Sequence, residues 1–352
     1  MPFFSFVFFR SSPAVAIPFV SFPEPAEPVH VSEKDVPRYI FIARQKLKAG
    51  KFREVVEICN SILAVKEDSV EAHAYLAGAY MAMGKNRLYK KEVLVFKRLA
   101  PHSPLLSLSM AETFQALGDM KKAEAEYREG IRIAPDDTRL HMGLGALYVA
   151  TGDIRQAKDQ YLAVVRKKKV SPQDFMNASF ALCRIGLREK AYDRVIKRAG
   201  MVMELYPPIP LSYEFMARAY LAKGLPRKAV DIYKRLLKTN RDIPLPYQKL
   251  AIIYSNTLKD NRTAMKYAKD GVRLFPRDPV SYDVLGWVCF SAGDNLMAIK
   301  HFEQAVRLDC KNPVYHYHTG LAFQREGKRP KALASFSKAP ACRGQWIRKI
   351  QA

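Results

Sequence analysis

The feature that most constrains this chain is a period. Gly50, Gly84, Gly118, Gly152 and Gly186 follow one another at intervals of 34 residues, Gly224 comes 38 later, and Gly293 and Gly327 are again 34 apart. A second ladder is built of alanine: Ala123, Ala157, Ala191, Ala229, Ala264, Ala298 and Ala332. A third is aromatic, usually four residues before the glycine: Tyr80, Phe114, Tyr148, Tyr220 and Phe323, with Tyr254 in the equivalent place. Self-similarity at a fixed period marks an array of one supersecondary unit that cannot bury its apolar face alone. Between glycines lie two apolar segments at helical spacing, such as Tyr213, Met216, Ala217 and Tyr220, then Ala229, Ile232, Tyr233, Leu236 and Leu237. The glycine stands where the first helix stops, a position that favours a left-handed residue. Small residues one turn into the first helix (Ala77, Ala111, Gly145, Ser179, Ala217, Ala251, Gly286, Gly320) and the alanines of the second let two antiparallel helices approach, while the aromatics fill the space beside them. Pro101, Pro135, Pro207 and Pro276 end the second helix, since proline cannot extend it.

The array resembles the tetratricopeptide repeat family. Its fourth repeat carries Leu144, Gly145, Tyr148, Gly152, Ala157 and Tyr161; its third carries Met110, Ala111, Phe114, Gly118, Ala123, Tyr127 and Pro135; its eighth carries Leu285, Gly286, Gly293, Ala298 and Phe302. The resemblance implies an all-α, right-handed α-solenoid of about nine stacked helix-turn-helix units over residues 36–346. Residues 1–35 then form an apolar, proline-rich tail, and 347–352 the end of a partial capping helix. Two repeats depart in length. Repeat 5 has four extra residues between Ala191 and Pro207, about one helical turn, which a longer second helix would absorb. Repeat 7 has one extra residue around Asn256–Asn261 and lacks the glycine.

Composition bears on partners rather than fold. Lys and Arg number 58 against 34 Asp and Glu, a formal charge of +24. Five cysteines with no pair at Cys-x-x-Cys spacing exclude a disulfide framework and the usual zinc site. Met1–Phe22 holds seven phenylalanines, three prolines and one charge, Arg10. It lacks the basic start and unbroken apolar core of an export signal, so the expected location is the cytoplasm, with envelope or membrane association through this segment as the alternative. No phosphate-binding Gly-x4-Gly-Lys loop, Gly-x-Ser-x-Gly elbow or His-Glu-x-x-His pair occurs, so no enzyme activity, cofactor or metal is expected. His73, His141 and His316 recur near the start of their repeats and read as structural.

A solenoid of this family presents a concave groove lined by its first helices, and function is expected there because the stacking residues are committed to packing. By helical phase the groove receives Met142, Met176, Phe180, Arg218, Trp287, Phe290 and Tyr317, a surface suited to an amphipathic helix or apolar peptide. The paired Lys, Asn and Arg of the family's carboxylate-gripping subclass do not occupy these slots. Second helices and turns carry the basic excess, including Arg166, Lys167, Lys168, Lys169, Lys197, Arg198, Lys234 and Arg235. A convex basic surface of this kind attracts acidic partners or anionic membrane. Nucleic acid is not favoured, since no binding module for it is recognisable. The expected function is therefore a non-catalytic scaffold or adaptor that binds a protein or peptide. A membrane-surface assembly factor and an accessory enzyme subunit are the alternatives, and the oligomeric state stays open.

Overall fold

The computed structural model describes residues 31–206 and 208–339. The tail of residues 1–30 and the capping segment of residues 341–352 lie outside the described residues. Among the described residues the fold is all-α, with 18 α-helices and no strand; α1 with α2, α3 with α4, α5 with α6 and each consecutive pair from α9 to α18 pack as helix hairpins.

Two compact units divide the chain, Met1–Leu147 and Tyr148–Ala352. The first begins with Val31, buried against the first hairpin, and a short 3-10 turn, Glu33–Asp35. It holds α1 (Val36–Lys48), α2 (Phe52–Val65), α3 (Val70–Ala82), α4 (Asn86–Leu99), α5 (Leu105–Ala116) and α6 (Met120–Ile133). Helix α7 (Thr138–Thr151) carries the chain across the division. The second unit continues with α8 (Ile154–Val165), α9 (Pro172–Arg188), α10 (Tyr192–Leu205), α11 (Pro210–Ala222) and α12 (Pro226–Thr239). Then follow α13 (Leu245–Ile252), α14 (Asn261–Leu274), α15 (Pro279–Ser291), α16 (Asn295–Leu308), α17 (Pro313–Arg325) and α18 (Arg329–Ser337).

The ladders do the mechanical work expected of them. Gly84, Gly118, Gly152, Gly224, Gly293 and Gly327 all have positive φ just after a first helix. Where aspartate follows the glycine it caps the next helix: Asp119, Asp153 and Asp294 accept the backbone N–H of Lys122, Gln156 and Met297 at 3.0–3.1 Å. Ala123, Ala157, Ala229, Ala264 and Ala298 are fully buried between helices. In repeats 8 and 9 a ring from the second helix lies on a glycine of the first helix. A Cβ on Gly286 would stand 2.6 Å from Phe302, and one on Gly320 2.5 Å from Phe336. Buried rings of this kind supply much of the stacking energy, at about 1.5–3 kcal/mol each.

Repeats 5 and 7 depart from the expected register. The left-handed residue after α9 is Lys190 (φ 58°), and Gly186 lies inside the helix. The four extra residues therefore sit in the first helix. Helix α9 has 17 residues against 13 in α11, α15 and α17, while α10 has the same 14 as α12 and α14. Val195, five residues beyond Lys190, fills the slot assigned to Ala191 and is buried. In repeat 7 the extra residue is taken up as a π-helical turn, Ile253–Thr257, continuing α13, and Lys259 (φ 58°) replaces the glycine. In both repeats a full or widened turn keeps the buried face in phase downstream.

Candidate interaction surface

The first helices carry the expected groove positions, and in the first unit these positions are filled from within. Arg44 of α1 reaches Glu112 of α5, two repeats on: its Nε donates to both carboxylate oxygens at 3.0 and 3.1 Å and its Nη2 donates at 2.6 Å. The Lys48 ammonium stands 3.3 Å from the same carboxylate, whose side chain is only 2% exposed. Between them α3 is buried on every side from Ala72 to Tyr80. The reason is size: a Cβ on Gly78 would lie 2.5 Å from Thr113 Oγ1 and 2.8 Å from Ser109 Oγ, and Ser109 Oγ donates to the Ala74 carbonyl at 2.7 Å. Burial opposes the Arg44 charge, but the hydrogen bonds and Coulombic attraction of Glu112 outweigh it and hold the guanidinium above its usual value. Burial likewise pushes the Tyr75 and Tyr127 phenols up beside the pair. The inner face of repeats 1–3 is thus closed by helix packing, with Glu112 buried and Arg44 half-buried over it, where the phase argument places an open groove. Met142, on α7, is half-buried.

In the second unit the one-turn insertion shifts the register of α9. Counted back from Lys190, the groove positions of repeat 5 belong to Phe180 and Arg184 rather than Met176 and Phe180. Phe180 is 8% exposed and stacks on Phe215 of α11 with centroids 5.7 Å apart, so it is a core residue and the expected groove role is corrected. Met176 is half-buried against the same cluster, and Arg218 is half-buried on α11.

Aromatic surface gathers further on, over α15 and α17. Trp287 lies 5.6 Å from Phe290 and 5.0 Å from the ring of His318, and its indole N–H donates to Asn256 Oδ1 at 3.0 Å. Tyr317 lies 5.8 Å from Phe336. Arg325 stacks its guanidinium 3.7 Å over Phe290 and donates to the Phe290 carbonyl at 2.7 Å. Beneath them His318 Nδ1 meets Asp283 Oδ1 at 2.7 Å, both residues buried. Trp287, Phe290 and Tyr317 keep part of their rings exposed. Asn256, Arg325 and His318 are supporting residues that phase reasoning does not supply. A signal for them exists, since their partners stand 31, 35 and 35 residues away, close to one repeat period.

The other recurrent histidines are structural. His73, His141 and His316 each point Nε2 at the carbonyl six residues earlier, at 2.9–3.0 Å, pinning the loop that enters the helix. Among the described residues no three His, Cys, Asp or Glu side chains converge as metal ligands, and no helix is long and apolar enough to cross a membrane. Of the basic set, Arg166, Lys168 and Lys169 are exposed at the end of α8 and Lys167 is half-buried there. Lys197 (exposed) and Arg198 (half-buried) lie on α10; Lys234 and Arg235 are exposed on α12. Lys234 Nζ sits 5.9 Å over the Tyr254 ring.

Successive helix hairpins of this length, in repeats 8 and 9 closed by a ring packed on a glycine, define a helical-repeat protein. Residues 107–137, 212–247 and 280–312 match the tetratricopeptide repeat family, and the chain is a tetratricopeptide-repeat protein. Over 132 residues (37% of this chain and 27% of the relative) it is 27% identical to a DnaJ homolog subfamily C member 7 homolog of Schizosaccharomyces pombe. Over 110 residues (31% of this chain and 19% of the relative) it is 22% identical to TPR repeat-containing protein MJ1428 of Methanocaldococcus jannaschii. The matches take in less than a third of either relative's own length. Similar solved structures include a tetratricopeptide repeat protein from Parabacteroides merdae (TM-score 0.47, 14% identity, covering 72% of this chain and 99% of that one). Another is yeast Tom70 (TM-score 0.44, 13% identity, covering 91% and 87%).

Proposed function

We propose that the protein is a non-catalytic interaction scaffold that receives a partner peptide or helix on the first-helix faces of its second unit, anchored by Trp287, Phe290 and Tyr317. The observation that carries this reading is the exposed part of these rings, held in place from behind. Asn256 fixes the indole, Arg325 fixes Phe290, and the Asp283–His318 pair fills the space beneath. Partly exposed, pre-oriented aromatic side chains are the usual anchors of binding energy, because little rotamer freedom is left to lose. Met176 and Arg218 belong to this reading only as flanking contacts, and Met142, in the first unit, stands outside it.

The test is selection of displayed peptides against the full chain, followed by affinity measurement with Trp287→Ala and Tyr317→Ala. Selected peptides should share an apolar anchor, and each substitution should weaken them roughly tenfold or more, the scale of a hot-spot truncation. Peptides that bind both variants as tightly as the parent would refute the assignment of the surface.

A further inference from the structure

We propose that the outer face of α4, with Leu94 at its centre, is a docking surface for an acidic helical segment of a partner protein that lays an apolar side chain on this leucine. The surface belongs to the first unit. It and the aromatic surface of the second unit are independent readings, and neither rests on the other.

Helical phase alone brings the surface together, on one element. At about 100° per residue, Arg87, Lys90, Lys91, Leu94, Lys97 and Arg98 fall within one arc of about 120°. Leu94 stands at the middle of that arc, with Lys90 and Lys97 on one flank and Arg87, Lys91 and Arg98 on the other. All five cations are exposed, and Leu94 is 72% exposed. The opposite side of the helix is committed to the core. Phe96 is buried there, α4 packs on α3, and Glu92 meets His73 Nδ1 of α3 at 2.7 Å. That carboxylate is the helix's own acid, and burial removes it from the outer face.

The outer charges are uncompensated. Among the described residues none of the five cations forms an ion pair, whereas on α6 Lys122, Arg128 and Arg132 meet Asp119, Glu124 and Glu129 at 2.6–2.9 Å. Lys97 and Arg98 lie in the last turn of α4, where the helix carbonyl end attracts cations. Arg87, Lys90 and Lys91 gain nothing from that. The first turn holds no acid, no side chain caps it, and Arg87 faces both lysines one turn on, like charges that oppose the helix. An exposed leucine by itself is ordinary. One enclosed by five cations without a carboxylate among them is a contact whose charge complement is specified. The same slot holds Asn60 one repeat earlier and Arg128 one repeat later, so the repeat pattern does not call for leucine there.

The arrangement favours a protein segment over a bilayer. A helix that lies on a membrane inserts a continuous apolar face. The apolar face of α4 is turned to the core, so a bilayer would meet cations and a lone leucine. A helical segment with carboxylates one turn before and one turn after an apolar residue matches the charges at both ends and takes Leu94 out of water.

The experiment uses the full chain and a labelled synthetic helix of about three turns, with leucine at its middle and glutamates one turn to either side. One twin carries glutamine for the glutamates, another alanine for the leucine. Anisotropy at ~0.05 M salt should show the glutamate peptide bound roughly tenfold or more tightly than the glutamine twin, and the gap should close near ~0.5 M, where the screening length is about 4 Å. Leu94→Ala should weaken the glutamate peptide several-fold at both salts and leave the alanine twin nearly unchanged. Lys90→Glu with Lys91→Glu should abolish the preference for glutamate over glutamine. This double variant should also melt at or above the parent temperature, since it removes like charges and puts acids in the N-terminal half of α4. Absent or equal binding of the glutamate and glutamine peptides, or a preference that survives the charge reversal, would overturn the proposal. So would undiminished binding by Leu94→Ala, which would leave only a solvated basic face. Phosphatidylserine vesicles that bind the parent but not the double variant, with no preference between the peptides, would assign the face to membrane instead.

Discussion

Truncation of Glu112 is the sharpest test of how the first unit closes. The carboxylate is 2% exposed and accepts three contacts from Arg44 and one from Lys48. Glu112→Ala leaves two cations facing each other over a small cavity. Breaking a buried pair from one side costs about 3–5 kcal/mol. The Arg44 side chain is 23% exposed and that of Lys48 46%, so both can turn partly to water. The lower end applies, about 3 kcal/mol, or roughly a hundredfold in the folding equilibrium. Arg44→Met should cost at least as much, because the group left behind is the more buried one and Lys48 replaces it only partly. The double change Arg44→Met with Glu112→Leu should recover most of the loss, since an ion pair of this kind repays its desolvation only through its partner.

The assay is denaturant unfolding followed by circular dichroism, with amide hydrogen exchange to locate the effect. In a repeat array a defect is felt by its neighbours first. Protection should fall in α1, α3 and α5 and stay unchanged from α15 to α18. The reasoning fails if Glu112→Ala costs less than about 1 kcal/mol, the value of a surface pair. It fails equally if the double variant loses the sum of the two single losses.

Three further outcomes follow from local geometry. Lys190 and Lys259 hold φ at 58°, so Lys190→Gly and Lys259→Gly should each raise stability by up to about 1 kcal/mol, read as a higher melting temperature; a fall would mean the lysine stems matter more than backbone strain. Burial pushes the Cys183 thiol up to about 12 and raises Cys59 as well, while Cys310 is exposed. With Cys342→Ser in place, a thiol reagent at pH 8 should label Cys310 at once and leave Cys59 and Cys183 unmodified, as only about one Cys183 in ten thousand is thiolate. Hydrogen bonds from the side chain and then the backbone N–H of Lys122, Gln156 and Thr263 hold Asp119, Asp153 and Asp260 below the ordinary carboxylate value. Their capping contribution is therefore full above that ordinary value and lost as pH falls through the depressed one. The stability gap between the parent and the triple Asp→Ala variant should narrow on acidification, and a pH-independent gap would contradict the assignment.

The ladders were legible because each rung answers a physical need that few residues meet. Positive φ wants glycine, a close helix crossing wants alanine, and the space beside it wants a ring. The reading failed where another residue met the need at a cost. Lys190 adopts the left-handed turn, so the glycine ladder points to Gly186 as the helix end and places the extra turn one helix too late. Phe180 keeps a groove position in the corrected register as well, but its ring stacks on Phe215 and is buried, so packing between first helices and not the register removes it from the surface. The sealed inner face of the first unit has a different origin. Phase correctly sets Arg44, Gly78 and Glu112 on one face, but phase is silent on whether first helices two repeats apart meet. Size decides that. Ala74 and Gly78 leave so little between α1 and α5 that these helices pack directly and bury their charges. Repeat 8 places Asp283 and Trp287 in the equivalent slots, and α13 and α17 make no comparable packing. The small residues of α3 therefore close the face between α1 and α5, and the bulky indole of α15 stands where α13 and α17 stay apart.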